Sequence, residues 1–114
     1  MVAEDLAAEY LSSNGYRIIN RNYRKPWGEI DIIAEKEGII AFVEVKASMS
    51  HNEGFQPEIR AGWTKMGKVV RTARTFLLSR KYPDTQEWQI DVLSVTIDKE
   101  RGLAKFKHFK NVDL

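Results

Sequence analysis

The chain has 114 residues, 43% of them hydrophobic and 30% charged, with a formal net charge of +2. That length supports one domain around one core and no second, and the composition is that of an ordinary globular protein. It contains no cysteine, which excludes disulfides, thiol catalysis and Cys-ligated zinc and fits a reducing cytoplasm.

The opening residues Met1-Val2-Ala3-Glu4-Asp5 are acidic and do not read as a signal peptide. No segment approaches the ~18 apolar residues of a membrane span, so a cytoplasmic protein without a membrane partner is expected. Val2, Ala3, Leu6, Ala7, Tyr10 and Leu11 recur at helical spacing, and Gly15 is placed to end that helix. Tyr16 to Tyr23 follows as a strand, and Arg24-Lys25-Pro26-Trp27-Gly28 reads as a turn. Two further strands run from Glu29 to Ala34 and from Ile39 to Ala47, joined by the polar Glu35-Lys36-Glu37-Gly38.

Ser48 to about Arg60 carries Gly54 and Pro57 without periodicity and reads as a surface loop. A helix is predicted from Trp63 to Arg80, with Met66, Val69, Val70, Ala73, Phe76 and Leu77 on one face. Glu87 to Ile97 is β-rich, and Gly102 precedes a last short strand, Leu103 to Phe109. The order α-β-β-β-α-β plus a terminal strand predicts an α/β (α+β) fold in which helices pack on a mixed sheet.

Charge is segregated along this order. From Ile59 to Pro83 stand Arg60, Lys65, Lys68, Arg71, Arg74, Arg80 and Lys81 with no acid, and Arg17, Arg21, Arg24 and Lys25 form a second basic cluster. Acids gather at Glu4, Asp5 and Glu9 and between Glu29 and Glu37. Basic flanks around an acidic centre suit a metal-dependent nuclease, with cations for phosphates and carboxylates for the ion. Solvated faces are the plainer explanation of either cluster taken alone.

A symmetric hairpin loop places Asp31 opposite Glu44 and Glu29 opposite Lys46, with Ile30, Ile32, Ala34, Ala41, Val43 and Val45 on the other, apolar face. Two carboxylates directly opposed on a sheet repel. A metal ion between them, beside a lysine, turns that liability into a phosphodiester-cleaving site. The competing explanation is a solvent-facing ladder of pairs such as Glu29–Lys46, each worth at most ~1 kcal/mol; it leaves Asp31 against Glu44 unexplained. Glu4 equally suits a first-turn acid complementing the helix dipole, and Lys65 suits either a phosphate contact or helix solubility. Trp27 and Trp63 flank basic runs, where they fit base stacking or, more commonly, packing. Asp91 is read as an ion-pair partner or sheet-edge cap, and His51 and His108 lack a second histidine at zinc-ligand spacing.

Gly28-Glu29-Ile30-Asp31 together with Phe42-Val43-Glu44-Val45-Lys46 resembles the restriction-endonuclease-like, or PD-(D/E)XK, superfamily. More closely, the chain resembles the YraN family of small bacterial proteins. That likeness runs nearly end to end, through Ala3-Glu4-Asp5-Leu6-Ala7, Gly15-Tyr16-Arg17-Ile18-Ile19, Lys65, Ile90-Asp91-Val92, His108 and Asn111. Ala3 and Ser48 depart from the family pattern, which has Gly before the helical Glu and Arg two positions after the motif lysine.

A kinship with archaeal-type Holliday junction resolvases follows from the same motifs. The resemblance implies Mg²⁺, with Mn²⁺ as an alternative, held by Asp31, Glu44 and the Val45 carbonyl. It implies Lys46 as the catalytic lysine and Glu4 as a helical carboxylate of the site, and it admits a symmetric homodimer. Glu29 is an accessory acid or the partner of Lys46, and Arg24, Lys65, Lys68 and Arg71 are the candidate nucleic-acid contacts. The resulting expectation is a nuclease for structured or branched DNA; the alternative is a non-catalytic nucleic-acid-binding module on the same fold.

Overall fold

The computed structural model describes residues 2–49 and 63–112, with side chains of the second helix described from residue 66. Helix α1 spans Val2–Ser13 and buries Ala3, Glu4, Ala7 and Leu11. It ends as Gly15 predicts: Gly15 takes φ +89°, and the Tyr16 amide donates back to the Leu11 carbonyl at 3.0 Å, closing the last turn. Strands β1 (Arg17–Lys25), β2 (Gly28–Lys36) and β3 (Ile39–Met49) follow, then α2 (Trp63–Ser79), β4 (Trp88–Asp98) and β5 (Leu103–Phe109).

The strands form one mixed sheet in the order β1-β2-β3-β4-β5. β3 and β4 are parallel and the other neighbours antiparallel. A parallel pair needs a crossover connection, and α2 lies within it. This is the α/β (α+β) arrangement that the order of elements predicts.

The two helices cover opposite faces. Ala7 and Leu11 of α1 pack with Ile32, Ala34, Ala41, Val43, Leu93 and Val95. Val69, Ala73 and Phe76 of α2 pack with Ile30, Ile33, Ile40, Phe42 and Ile90. Alternate residues of β3 therefore feed two cores, which explains the unbroken apolar run of a central strand.

Four expectations need correction. The β1–β2 turn is only Pro26–Trp27, because Lys25 already pairs with Gly28; proline presets the turn dihedral and a two-residue loop suffices. Ser48 and Met49 belong to β3 rather than to a loop, the Ser48 hydroxyl 3.3 Å from that of Thr96 on the paired strand; residues 50–60 of the expected loop, with Arg60 and His51, lie outside the described residues. Ile30 does not share a face with Ile32 but packs under α2. The switch coincides with a backbone irregularity on the paired strand: Asn22, between the pairs Arg21–Ile32 and Tyr23–Ile30, has φ 53°. Finally, the acid-free cluster on β1 is not acid-free in three dimensions: Arg17 pairs with Glu35 at 2.7 Å, Arg21 with Asp5 at 2.7 Å and Arg24 with Glu29 at 3.2 Å.

Candidate functional site

Hydrogen-bonded pairing of β2 with β3 runs from Lys36–Ile39 to Ile32–Val43. The pairing stops there, one residue short of Asp31 and Glu44 on the two strands. Here the Val45 amide donates to Asp31 Oδ2 at 2.8 Å, so a side chain takes a backbone donor and turns the carboxylate toward β3. Glu44 is buried, at 8% exposure.

Asp31, Glu44, Val45 and Lys46 line one cleft of about 590 Å³, between the β1–β2 turn and α2. Lys68 and Trp27 line it as well. The turn can approach α2 this closely because residue 28 is glycine: a Cβ there would stand 2.6 Å from Thr72 Oγ1 and 3.2 Å from the Lys68 carbonyl. Thr72 Oγ1 is itself held by donating to that carbonyl at 2.7 Å.

Of the expected phosphate contacts, Arg24 and Lys68 line the cleft, and Arg71 stands beside it with its guanidinium 4.0 Å from the centre of the Trp27 ring. The Lys65 side chain lies outside the described residues. Glu29 lines the cleft and is ion-paired to Arg24 across β1 and β2. Glu4 is buried in the first turn of α1, at 8% exposure, and is not among the residues lining the cleft.

Among the described residues no three carboxylate or imidazole side chains gather closely enough to enclose a metal, and neither sulfur nor imidazole lines the cleft. What remains is the carboxylates of Asp31 and Glu44, that of Glu29 already ion-paired to Arg24, and a backbone carbonyl in an open cleft. Such hard oxygen donors match an ion that keeps several waters, as Mg²⁺ does, and fit thiophilic metals poorly.

A second polar centre forms around Asp91, read from the sequence as an ion-pair partner or sheet-edge cap. Asp91 is fully buried, yet its carboxylate meets His108 Nε2 at 2.8 Å and accepts from Gln89 Nε2 and the Asn111 amide, each at 2.9 Å. Tyr10 and Tyr16 pack their rings against His108. Gln89 shares β4 with Asp91, whereas His108 and the Asn111 amide come from β5 and the segment beyond it, so only the fold brings the centre together.

A sequence model of the uncharacterised protein family UPF0102 matches residues 3–95. A UPF0102 protein of Aquifex aeolicus is 53% identical over 111 residues, covering 97% of this chain and 92% of the relative. One from Persephonella marina is 44% identical over 92 residues, 81% of this chain and 78% of the relative. One from Fervidobacterium nodosum is 38% identical over 112 residues, 97% of this chain and 78% of the relative.

Proposed function

This chain belongs to the uncharacterised protein family UPF0102, and we propose that it is a Mg²⁺-dependent nuclease of the restriction-endonuclease-like superfamily, hydrolysing phosphodiester bonds in structured or branched DNA. The observation that supports this reading most is the gathering of Asp31, Glu44, Val45 and Lys46 on one cleft with Lys68.

Asp31 and Glu44, with the Val45 carbonyl, would hold the ion. Bound Mg²⁺, or Mn²⁺ in its place, supplies charge relief on the phosphoryl oxygens and makes a water nucleophilic near neutral pH. The bond from the Val45 amide fixes the Asp31 carboxylate against β3 before any ligand arrives. Lys46 orients the attacking water and offsets the negative charge that develops on the phosphoryl group. Lys68 and Arg71 hold the flanking phosphates as point charge and planar fork respectively. Arg24, already engaged by Glu29, contributes less. With Glu4 off the cleft, the reading rests on two carboxylates, a number adequate for an ion that keeps most of its water.

Calorimetry of Mn²⁺ and Mg²⁺ binding tests this directly. The wild type is expected to bind, and Asp31→Ala and Glu44→Ala each to weaken binding at least about tenfold while far-UV circular dichroism stays unchanged. Binding that persists in both variants places the ion elsewhere and removes the nuclease reading from this cleft. The position of Glu4 favours a second reading, a nucleic-acid-binding module without turnover. Salt-sensitive binding that survives both substitutions, with no cleavage by the wild type, would establish that module instead.

A further inference from the structure

Trp27 sits at the tip of the two-residue β1–β2 turn, on the wall of the cleft. Its place is set by backbone chemistry: Pro26 presets the turn, and the bare Cα of Gly28 lets the turn press on α2 at Thr72 and Lys68. The Arg71 guanidinium lies 4.0 Å from the centre of the indole ring. The indole Nε1–H is buried and meets no hydrogen-bond acceptor among the described residues.

These facts together are unusual for a structural tryptophan. A buried indole N–H ordinarily finds a partner, and a donor without one is costly. The planar cation 4.0 Å over the ring shows that this indole face accepts a flat group, and a nucleobase presents such a face. Both faces of a base inside a duplex are covered by its neighbours, so only a base outside the stack can present it. A cleft of about 590 Å³ lies in the range that takes one small ligand, such as a single nucleotide.

We propose that Trp27 and Arg71 form a stacking slot for one unpaired nucleobase, so that the cleft takes a single-stranded or flipped-out nucleotide beside the phosphate held at Lys68. The base stacks on the indole. Arg71 swings from the ring to a phosphate or to the far face of the base, and the Nε1–H gains an acceptor from the nucleotide. The inference rests on the nucleic-acid substrate proposed above, but not on turnover.

The test is fluorescence anisotropy in EDTA, where no metal-dependent cleavage occurs, with a labelled 12-nucleotide single strand and a blunt duplex of the same sequence. Wild type should prefer the single strand. Trp27→Leu should weaken single-strand binding by about 5- to 150-fold, the worth of one stacked base, and leave duplex binding nearly unchanged. Trp27→Phe should retain most of the affinity. Arg71→Ala, at an exposed helix position, should lower single-strand affinity more than duplex affinity, and it keeps the test decisive if Trp27→Leu fails to fold. Equal losses on both oligonucleotides, a wild type without single-strand preference, or no binding to either would each overturn the slot. Cleavage measured separately with Mg²⁺ then reports on the nuclease reading alone, so the two can fail independently.

Discussion

At the scale of single residues, Asp91 shows how this chain keeps a charge inside its core. A carboxylate without contact with water survives only when its oxygens are satisfied, and here Gln89, His108 and the Asn111 amide converge on it. The Asn111 bond, with that from the Val112 amide to the Ile90 carbonyl at 2.8 Å, ties the segment after β5 back onto β4. The neighbouring Tyr16 hydroxyl is held above the ordinary tyrosine value, first by burial and then by the Asp91 carboxylate. A phenol whose folded pKa is raised stabilises the fold below its unfolded value of about 10 and loses that contribution as pH rises through the folded value. Thermal melting from pH 8 to 11.5 should therefore show the wild type losing stability more steeply than Tyr16→Phe above about pH 10. Parallel curves would mean that Tyr16 ionises equally well in both states.

At the scale of elements, the switch at Asn22 decides what the first hairpin offers to each helix. Arg21 and Ile32 pair on the α1 side, where Arg21 reaches Asp5 and Ile32 reaches Leu11. Two residues on, Tyr23 and Ile30 pair on the α2 side. A regular strand cannot do this, because alternate residues share a face. The left-handed backbone of Asn22 absorbs the difference, and asparagine tolerates that conformation where a β-branched residue does not. Asn22→Val should accordingly destabilise the fold by about 1–3 kcal/mol, whereas Asn22→Gly should cost little or nothing. Urea denaturation of the two variants distinguishes them; equal stability would show that the switch does not depend on residue 22. Alternation alone placed the β2–β3 register that runs from Lys36–Ile39 to Ile32–Val43, because register follows from a short loop and a repeating pattern. It misplaced Ile30, because alternation assumes a regular strand, and the faces of both paired strands switch where Asn22 takes its left-handed backbone.

At the scale of the whole molecule, the two basic runs that look alike in sequence are not equivalent. Arg17, Arg21 and Arg24 each hold a carboxylate contributed by another part of the fold. On α2, by contrast, Lys68, Arg71 and Arg74 have no acidic partner among the described residues. A cation already paired releases few counterions when phosphate arrives, since its own carboxylate must be displaced first. The salt dependence of nucleic-acid binding should therefore report α2 and not β1. Each phosphate contact removed lowers the slope of log K against log salt by ~0.7 on a single strand, so Lys68→Ala should flatten it by about that amount. Arg17→Ala and Arg21→Ala should leave it within about 0.2, although both lie in a run as basic as α2. If the β1 variants flatten the slope as much as the α2 variant, the ion pairs on β1 open at no cost on binding. The footprint would then extend across the sheet edge, beyond the cleft that Asp31 and Glu44 define.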